Sequence, residues 1–402
     1  MLPGILPEES ETDRYSISFM SRLPQNKKIV FVNQSAGYLT IDIINQFSDA
    51  GYKCDLITGL LVTRNRSISK SVKVRRIIKY NNTNHIRRIF TWGWASFQIF
   101  IIILFKYRNS HIFFFTNPPL APLTSLILPN SYSIVVFDVY PEAISELGFL
   151  PKNSFIIKLW KNANTMVYRQ AEDVFTITQG MKDLISLYPM QNPAKIVNLW
   201  ADNDFLHYIP KENNPFIKKY DLTGKFVVLY SGKIGFTSDV EILCDVAEAV
   251  NDDNVRFVII GEGSRKKSIE QRINSSGLKD SFTILPLQEV NMLPYTLSSA
   301  DLGVVILSKA ASQLSIPSKT FSLLAIGVPI LGITGDESDL NVLINQYRVG
   351  RCYNNENVDG IVKFIRTLVN NRSMYNEFRN NALLTSELFT RKNAENFVNN
   401  HD

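Results

Sequence analysis

The sequence predicts an α/β protein of two domains, each a doubly wound parallel sheet, with a cleft between them. Three observations lead there. Apolar runs of strand length alternate with segments of helical period in both halves, the pattern of successive βαβ units. Several of these strands end in small residues, as at Ser231-Gly232-Lys233 and Gly261-Glu262-Gly263, so their turns gather on one sheet edge. Finally, 402 residues exceed what one hydrophobic core usually holds, and the polar stretch at 200–218 reads as a hinge. The expected division is a poorly ordered segment over 1–26, a first domain over 27–205 and a second over 206–370. Helices over 371–402 are expected to return toward the first domain.

In chain order, residues 27–33 form a buried strand that turns at Gln34-Ser35-Ala36-Gly37-Tyr38 into a helix. Ile41, Ile44 and Phe47 give that helix its apolar face, and Gly51 closes it before a strand over 54–58. Further strands are expected over 111–116, 133–137 and 174–178. The second of these delivers Asp138 at its C-terminal end. A carboxylate there either lines the crevice of an α/β domain or caps the turn before Pro141. Residues 155–171 read as an amphipathic helix with Phe155, Leu159, Met166 and Val167 on one side.

Residues 64–88 carry Arg64, Arg66, Lys70, Lys73, Arg75, Arg76, Lys79, Arg87 and Arg88 with no acid among them. Two readings stand: a solvated face, or a dock for anionic lipid headgroups, each basic side chain contributing up to ~1 kcal/mol. The apolar stretch at 92–105 follows directly and fits the second, since basic and apolar groups side by side seat a protein on a membrane. It falls short of the ~20 apolar residues of a span, so a buried or interfacial helix is expected. The net charge of +6 is mild and no recognition motif accompanies it, which argues against nucleic acid. Cys54, Cys244 and Cys352 lie far apart without a C-x-x-C, which fits free thiols of a reducing cytoplasm and neither a metal site nor a disulfide framework. Glu8, Glu9, Glu11 and Asp13 make the N-terminus unlike a signal peptide.

The second half opens with a strand at 226–231 and the turn Ser231-Gly232-Lys233-Ile234-Gly235. Ser238-Asp239-Val240-Glu241 reads as a capping box, with Leu243, Ala247 and Val250 on the helix behind it. Strands at 255–260, 282–285 and 303–307 follow, and a charged helix carrying Ile269 and Ile273 stops near Gly277. A short helix has Pro317 near its start and Gly327 just past its end. Backbone N–H groups at such turns suit a phosphate.

Together Ser231-Gly-Lys-Ile-Gly235, Ile260-Gly-Glu-Gly-Ser-Arg-Lys-Lys267, Leu297-Ser-Ser-Ala-Asp-Leu-Gly-Val304 and Pro317-Ser-Lys-Thr-Phe-Ser-Leu-Leu-Ala-Ile-Gly-Val-Pro329 resemble the family-4 glycosyltransferases, notably bacterial enzymes of O-antigen and capsule assembly. Asn117-Pro-Pro119, Phe137-Asp-Val-Tyr-Pro-Glu142 and Asn198-Leu-Trp-Ala-Asp-Asn-Asp-Phe205 extend the resemblance, which covers residues 27–351. It implies the GT-B fold, two Rossmann-like domains around a cleft. It also implies retaining transfer of a sugar from a nucleoside diphosphate, with UDP-sugars as donors, to a lipid-linked or saccharide acceptor without metal or cofactor. As the glycosidic bond breaks, negative charge grows on the diphosphate, so cations and N–H dipoles aimed there act mostly in the transition state.

On this resemblance Lys233 takes the first basic position; the other reading is a solvated loop lysine. Many relatives place a second lysine where this chain has Ser238 and Asp239. Lys319, in the first turn of the short helix, replaces that charge or merely covers the turn. Ser231, Gly232, Gly261, Glu262, Gly263, Pro317, Ser318 and Thr320 form the donor side, with Glu262 either on the ribose or an exposed turn acid. The glutamate pair that holds donor sugar and ribose in relatives corresponds to Leu314 and Ser322, which implies altered donor contacts. Asp138 is the candidate to accept the acceptor's proton, Glu142 is second for that role, and Gly37 and Tyr38 shape the acceptor site. Two other functions fit the same architecture: a catalytically silent subunit that binds a partner transferase or a nucleotide, and a UDP-sugar epimerase.

Overall fold

The computed structural model describes residues 27–399 apart from 65, 82, 147–149, 152, 236–237, 309–311 and 313–315. The segment over 1–26, expected to be poorly ordered, and Leu314 lie outside the described residues.

The first half runs β1 (Ile29–Val32), a short β2 (Ser35–Ala36), α1 (Tyr38–Asp49), β3 (Cys54–Thr58), a short β4 (Leu60–Leu61), β5 (Lys73–Arg76), α2 (His85–Lys106) and β6 (His111–Phe115). A 3₁₀ segment (Ala121–Leu126), β7 (Tyr132–Val135), α3 (Glu142–Glu146), α4 (Phe155–Gln170), β8 (Asp173–Thr176), α5 (Gln179–Ile185) and β9 (Lys195–Ile196) complete it. Among the described residues these strands make a seven-stranded parallel sheet ordered β5-β3-β1-β6-β7-β8-β9. Phe31, Phe47, Phe113 and Phe175 fill one of its faces. Val30, Val32, Ile112 and Phe114 face the other, beneath α2 and α4.

The second half runs α6 (Pro215–Lys219), β10 (Phe226–Ser231), α7 (Ile242–Val250), β11 (Val255–Ile260), α8 (Lys266–Ser275), β12 (Phe282–Leu285), α9 (Leu293–Ser298) and β13 (Leu302–Ile306). Then come α10 (Lys319–Ile326), β14 (Ile330–Ile333), α11 (Asp339–Gln346), β15 (Gly350–Tyr353), α12 (Val358–Asn370), α13 (Arg372–Ser386) and α14 (Glu395–Asn399). The second sheet is parallel with order β12-β11-β10-β13-β14-β15. In both sheets the chain winds outward from the first strand, then returns to its other side. This leaves a switch point between β1 and β6 and another between β10 and β13, where strand ends diverge and open a crevice.

Several contacts join the halves. Gly180 N donates to Asp339 Oδ1 at 3.3 Å, while the connecting segment is held to the second half by Ile209 N, which donates to Ser298 Oγ at 3.0 Å. After α13 packs on α10, the chain crosses back, and Phe397 of α14 enters the first domain's core 5.0 Å from Phe175 and 6.5 Å from Trp200.

The structure departs from the sequence pattern in four places. The Ser238–Glu241 capping box does not form: α7 starts at Ile242, and Glu241 instead accepts a hydrogen bond from Ser268 Oγ at 2.7 Å. Of the residues grouped on one side of α4, only Val167 is buried; Phe155, Leu159 and Met166 face solvent, and Ile157, Asn164 and Tyr168 face the core with Val167. The apolar stretch at 92–105 belongs to a longer helix, α2, whose 22 residues are long and apolar enough to cross a membrane by length and composition. Its Ala95, Ile99 and Ile103 are nonetheless fully buried against the sheet. The basic run is not one continuous face either. Arg66 turns inward to Asp42, Asp202 and Asp204, and Arg75 Nε donates to Tyr107 Oη, while Lys73, Arg76, Lys79 and Arg87 stay exposed.

Candidate active site

At the second switch point β10 ends at Ser231, and its hydrogen bonding continues past the strand. Gly232 N donates to Ile260 O at 2.9 Å and Ile234 N to Glu262 O at 3.0 Å, so the turns after β10 and β11 are zipped together. This explains Gly261 and Gly263. A Cβ at either would lie 1.9 Å from a carbonyl oxygen, that of Gly232 or of Ile234. The close approach these glycines permit is to the neighbouring turn. Gly261→Ala is therefore expected to cost about 2–3 kcal/mol through forced separation of the two turns, read as a lower urea midpoint.

Lys319 opens α10, and its ammonium folds over the first turn. A methyl carbon at Gly232 would lie only 2.5 Å from Lys319 Nζ, which places the cation beside the residue preceding Lys233. Beneath it is the ring of Tyr230, 4.0 Å from Nζ to centroid, close enough for a cation–π interaction. Tyr230 Oη in turn donates to Lys233 O at 2.7 Å. One buried tyrosine thus supports both candidate lysines, Lys319 through its face and Lys233 through its hydroxyl. The Lys233 side chain is exposed. Ser231 and Pro317 are half-buried and Ser318 is exposed at the N-cap, whereas Thr320 is fully buried under the helix. Glu262 accepts from Lys266 Nζ at 2.8 Å one helical turn away. Ser322 Oγ reaches Ser318 O at 3.5 Å.

At the first switch point a cavity of about 260 Å³ opens between the ends of β1 and β6. Asn33, Gly37, Tyr38, Thr116, Asn117 and Asp138 line it. Thr116 Oγ1 accepts from Phe137 N at 3.1 Å and Asp138 N at 3.2 Å, fixing the turn that presents the carboxylate. Water reaches Asp138 from the open side of the cavity, yet protein surrounds it elsewhere, and this burial raises its carboxyl pKa. Tyr38 Oη donates to Trp200 O at 2.9 Å, tying the cavity wall to the segment between domains. Glu142 does not line the cavity. It accepts from Tyr188 Oη at 2.7 Å and pairs with Lys161 at 3.3 Å, holding α3 to α4 and to the turn after α5.

Residues 188–384 match the family Glycosyl transferases group 1. Over 351 residues the chain is 25% identical to "Probable glycosyltransferase WbjE" of Pseudomonas aeruginosa, with 82% of this chain and 85% of that protein covered. The chain carries a group 1 glycosyltransferase domain in its second half. The enzyme is also 27% identical over 164 residues to a protein of Escherichia coli (strain K12) named as a colanic acid biosynthesis glycosyl transferase, WcaI, covering 40% of each. In fold it is similar to Anabaena Alr3699/HepE in complex with UDP, with a TM-score of 0.70 and 14% identity over 93% of this chain and 98% of that one. The two parallel-sheet domains are those of a GT-B glycosyltransferase.

In this glycosyltransferase Lys319 is the most perturbed cation. Burial lowers its pKa from 10.5 to about 8. No carboxylate among the described residues pairs with it. A half-buried ammonium without an internal counterion is costly, and such a group suits an anion that the site receives. Sequence reasoning missed Tyr230 and Thr116. Each left a faint signal, a polar-tipped residue directly before a turn: Tyr230 before Ser231-Gly232, and Thr116 before Asn117-Pro118.

Proposed function

We propose that this glycosyltransferase is a retaining enzyme that moves a sugar from a nucleoside-diphosphate sugar, a UDP-sugar, to a lipid-linked or glycan acceptor in bacterial cell-surface polysaccharide synthesis. The observation that carries this reading is Lys319: a half-buried cation at a helix start, set against the Gly232–Lys233 turn and facing no carboxylate among the described residues. Lysine ammonium groups and amide dipoles, with no metal ion or cofactor, neutralise the departing diphosphate. The UDP held by the similar-fold HepE and the colanic acid pathway in WcaI's name support the donor and the setting.

On the acceptor side, Asp138 takes the proton of the incoming hydroxyl. Its raised pKa makes it a stronger base when ionised. In a front-face retaining mechanism the departing phosphate can accept the same proton, so Asp138→Asn is expected to slow transfer only about tenfold, below the ~10²–10⁴ of an indispensable general base. The exposed cations at Lys73, Arg76, Lys79 and Arg87, with the adjoining α2, seat the enzyme on the anionic inner face of the cytoplasmic membrane, where a lipid-linked acceptor resides.

A panel of UDP- and GDP-sugars, followed by nucleotide release and by thermal shift, tests the reading. Release of UDP from at least one donor, with a melting point raised by that donor alone, is expected. If no donor is turned over or shifts the melting point, the enzyme reading gives way to the silent subunit. Interconversion of a sugar with no acceptor and no UDP release assigns an epimerase.

A further inference from the structure

α2 and α4 lie on one face of the first sheet, because Ile99 and Ile103 of α2 and Val167 and Tyr168 of α4 enter the same core as Val30, Val32 and Phe114. Both pack on the 3₁₀ segment between β6 and β7. Crossover helices of a parallel sheet run back against their strands, so the first turns of α2 and α4 sit at the edge where the strands end. That edge also carries the Asp138 cavity. The two helices point their apolar side chains outward at these same turns. Ile86 is 81% exposed and Phe90 63%, with Ile89, Trp94 and Phe97 beside them, and on α4 Phe155 is 78% exposed, with Ile156 and Leu159.

The inner sides of these turns are joined by a run of rings. Tyr80 stacks on Trp92 at 6.0 Å, Trp92 meets Tyr140 edge-on at 5.7 Å, and Tyr140 stacks on Trp160 of α4 at 6.2 Å. Tyr80 and Tyr140 lie within the field of the Asp138 carboxylate. The exposed apolar turns are therefore two ends of one braced surface bordering the cavity mouth. Neither helix contains an acidic residue, and exposed Lys79, Arg87 and Lys158 flank the apolar groups. Apolar surface flanked by positive charge complements an anionic lipid leaflet.

We propose that α4 is a second membrane-inserting element: α2 and α4 together seat the enzyme on an anionic leaflet, and a lipid-linked acceptor reaches Asp138 between them. This rests on the membrane reading above and adds to it the element that fixes how the enzyme is oriented. The test is flotation of the full-length protein with vesicles of phosphatidylglycerol and phosphatidylcholine, comparing wild type, Ile86→Ser/Phe90→Ser and Phe155→Ser/Leu159→Ser. Size-exclusion chromatography and thermal melts are run on each, and exposed substitutions should leave melting unchanged. Each pair is expected to weaken vesicle binding at least tenfold. Wild-type binding retained in the α4 pair, but lost in the α2 pair, overturns this inference and leaves the membrane reading intact. A wild type that does not float overturns both. A wild-type dimer that the α4 pair converts to monomer assigns the α4 face to a second copy of the chain and also overturns it.

Discussion

Replacing Lys319 by methionine is expected to lower turnover by ~10²–10³ while making the protein more stable. The loss follows from removing one preorganised charge aimed at a leaving group, an effect of ~10²–10³ in rate. The gain follows from the pKa. At pH 7 the amine is charged in both the folded and the unfolded chain, so the full cost of burying the charge is present. Because burial lowers its pKa from 10.5 to about 8, that cost is at most about 3–4 kcal/mol at 1.36 kcal/mol per unit. Above pH 8 the folded amine sheds its proton while the unfolded one keeps it. The cost is relieved between pH 8 and 10.5, and the stability advantage of the methionine variant shrinks over the same window. For wild type, kcat/KM should fall as pH rises through about 8, since the free enzyme then loses its cation. Urea melts and donor turnover over pH 6–10 read both effects together. A Lys319→Met variant with unchanged turnover removes Lys319 from the mechanism.

Arg66→Ala is the second large expected effect, here on stability alone. Arg66 contacts Asp42 of α1 at 3.4 Å, Asp202 at 2.9 Å and Asp204 at 2.5 Å, the last two in the segment between domains. Asp42 also accepts from Trp200 Nε1 at 2.9 Å, and Asp204 meets Arg391 near the C-terminus at 3.1 Å. One guanidinium thereby holds the first domain, the connecting segment and the returning tail together. Its removal leaves two buried carboxylates uncompensated, a loss of about 3–5 kcal/mol. Burial already holds the carboxyls of Asp42 and Asp202 above the ordinary carboxylate pKa. Without Arg66 they take up protons more readily still, so the deficit is largest near neutral pH and shrinks on acidification. Denaturant midpoints of wild type and Arg66→Ala at pH 7 and pH 5 measure this. A deficit below 1 kcal/mol at pH 7, or one that grows with acid, contradicts the arrangement. Vesicle binding should be unaffected, because this member of the basic run points inward.

The contrast between Arg66 and its neighbours shows what a charge pattern can convey. The nine basic residues at 64–88 look alike in the sequence, and nothing local says which of them meets Asp42 and Asp202. Those partners come from α1 and from a segment more than a hundred residues away. The same holds for α4. Phe155, Leu159 and Met166 recur at helical spacing, as a core-facing stripe does, yet the sheet lies on the opposite side of the helix. Periodicity identifies a face but not what that face meets.

The sequence by itself determined the two parallel sheets, the turns that close their strands and the family, because strand length, small turn residues and motif order are local properties of the chain. The placement of Asp138, Lys233 and Lys319 beside strand ends or a helix start was also legible. Only the tertiary structure decided that Lys319 rests on the Tyr230 ring against Gly232, that Gly261 and Gly263 meet the adjoining turn, and that Glu142 pairs with Tyr188 and Lys161. These outcomes depend on which strand lies beside which and on how deeply a charge is buried. Such quantities exist only once segments far apart in the chain have come together and excluded water.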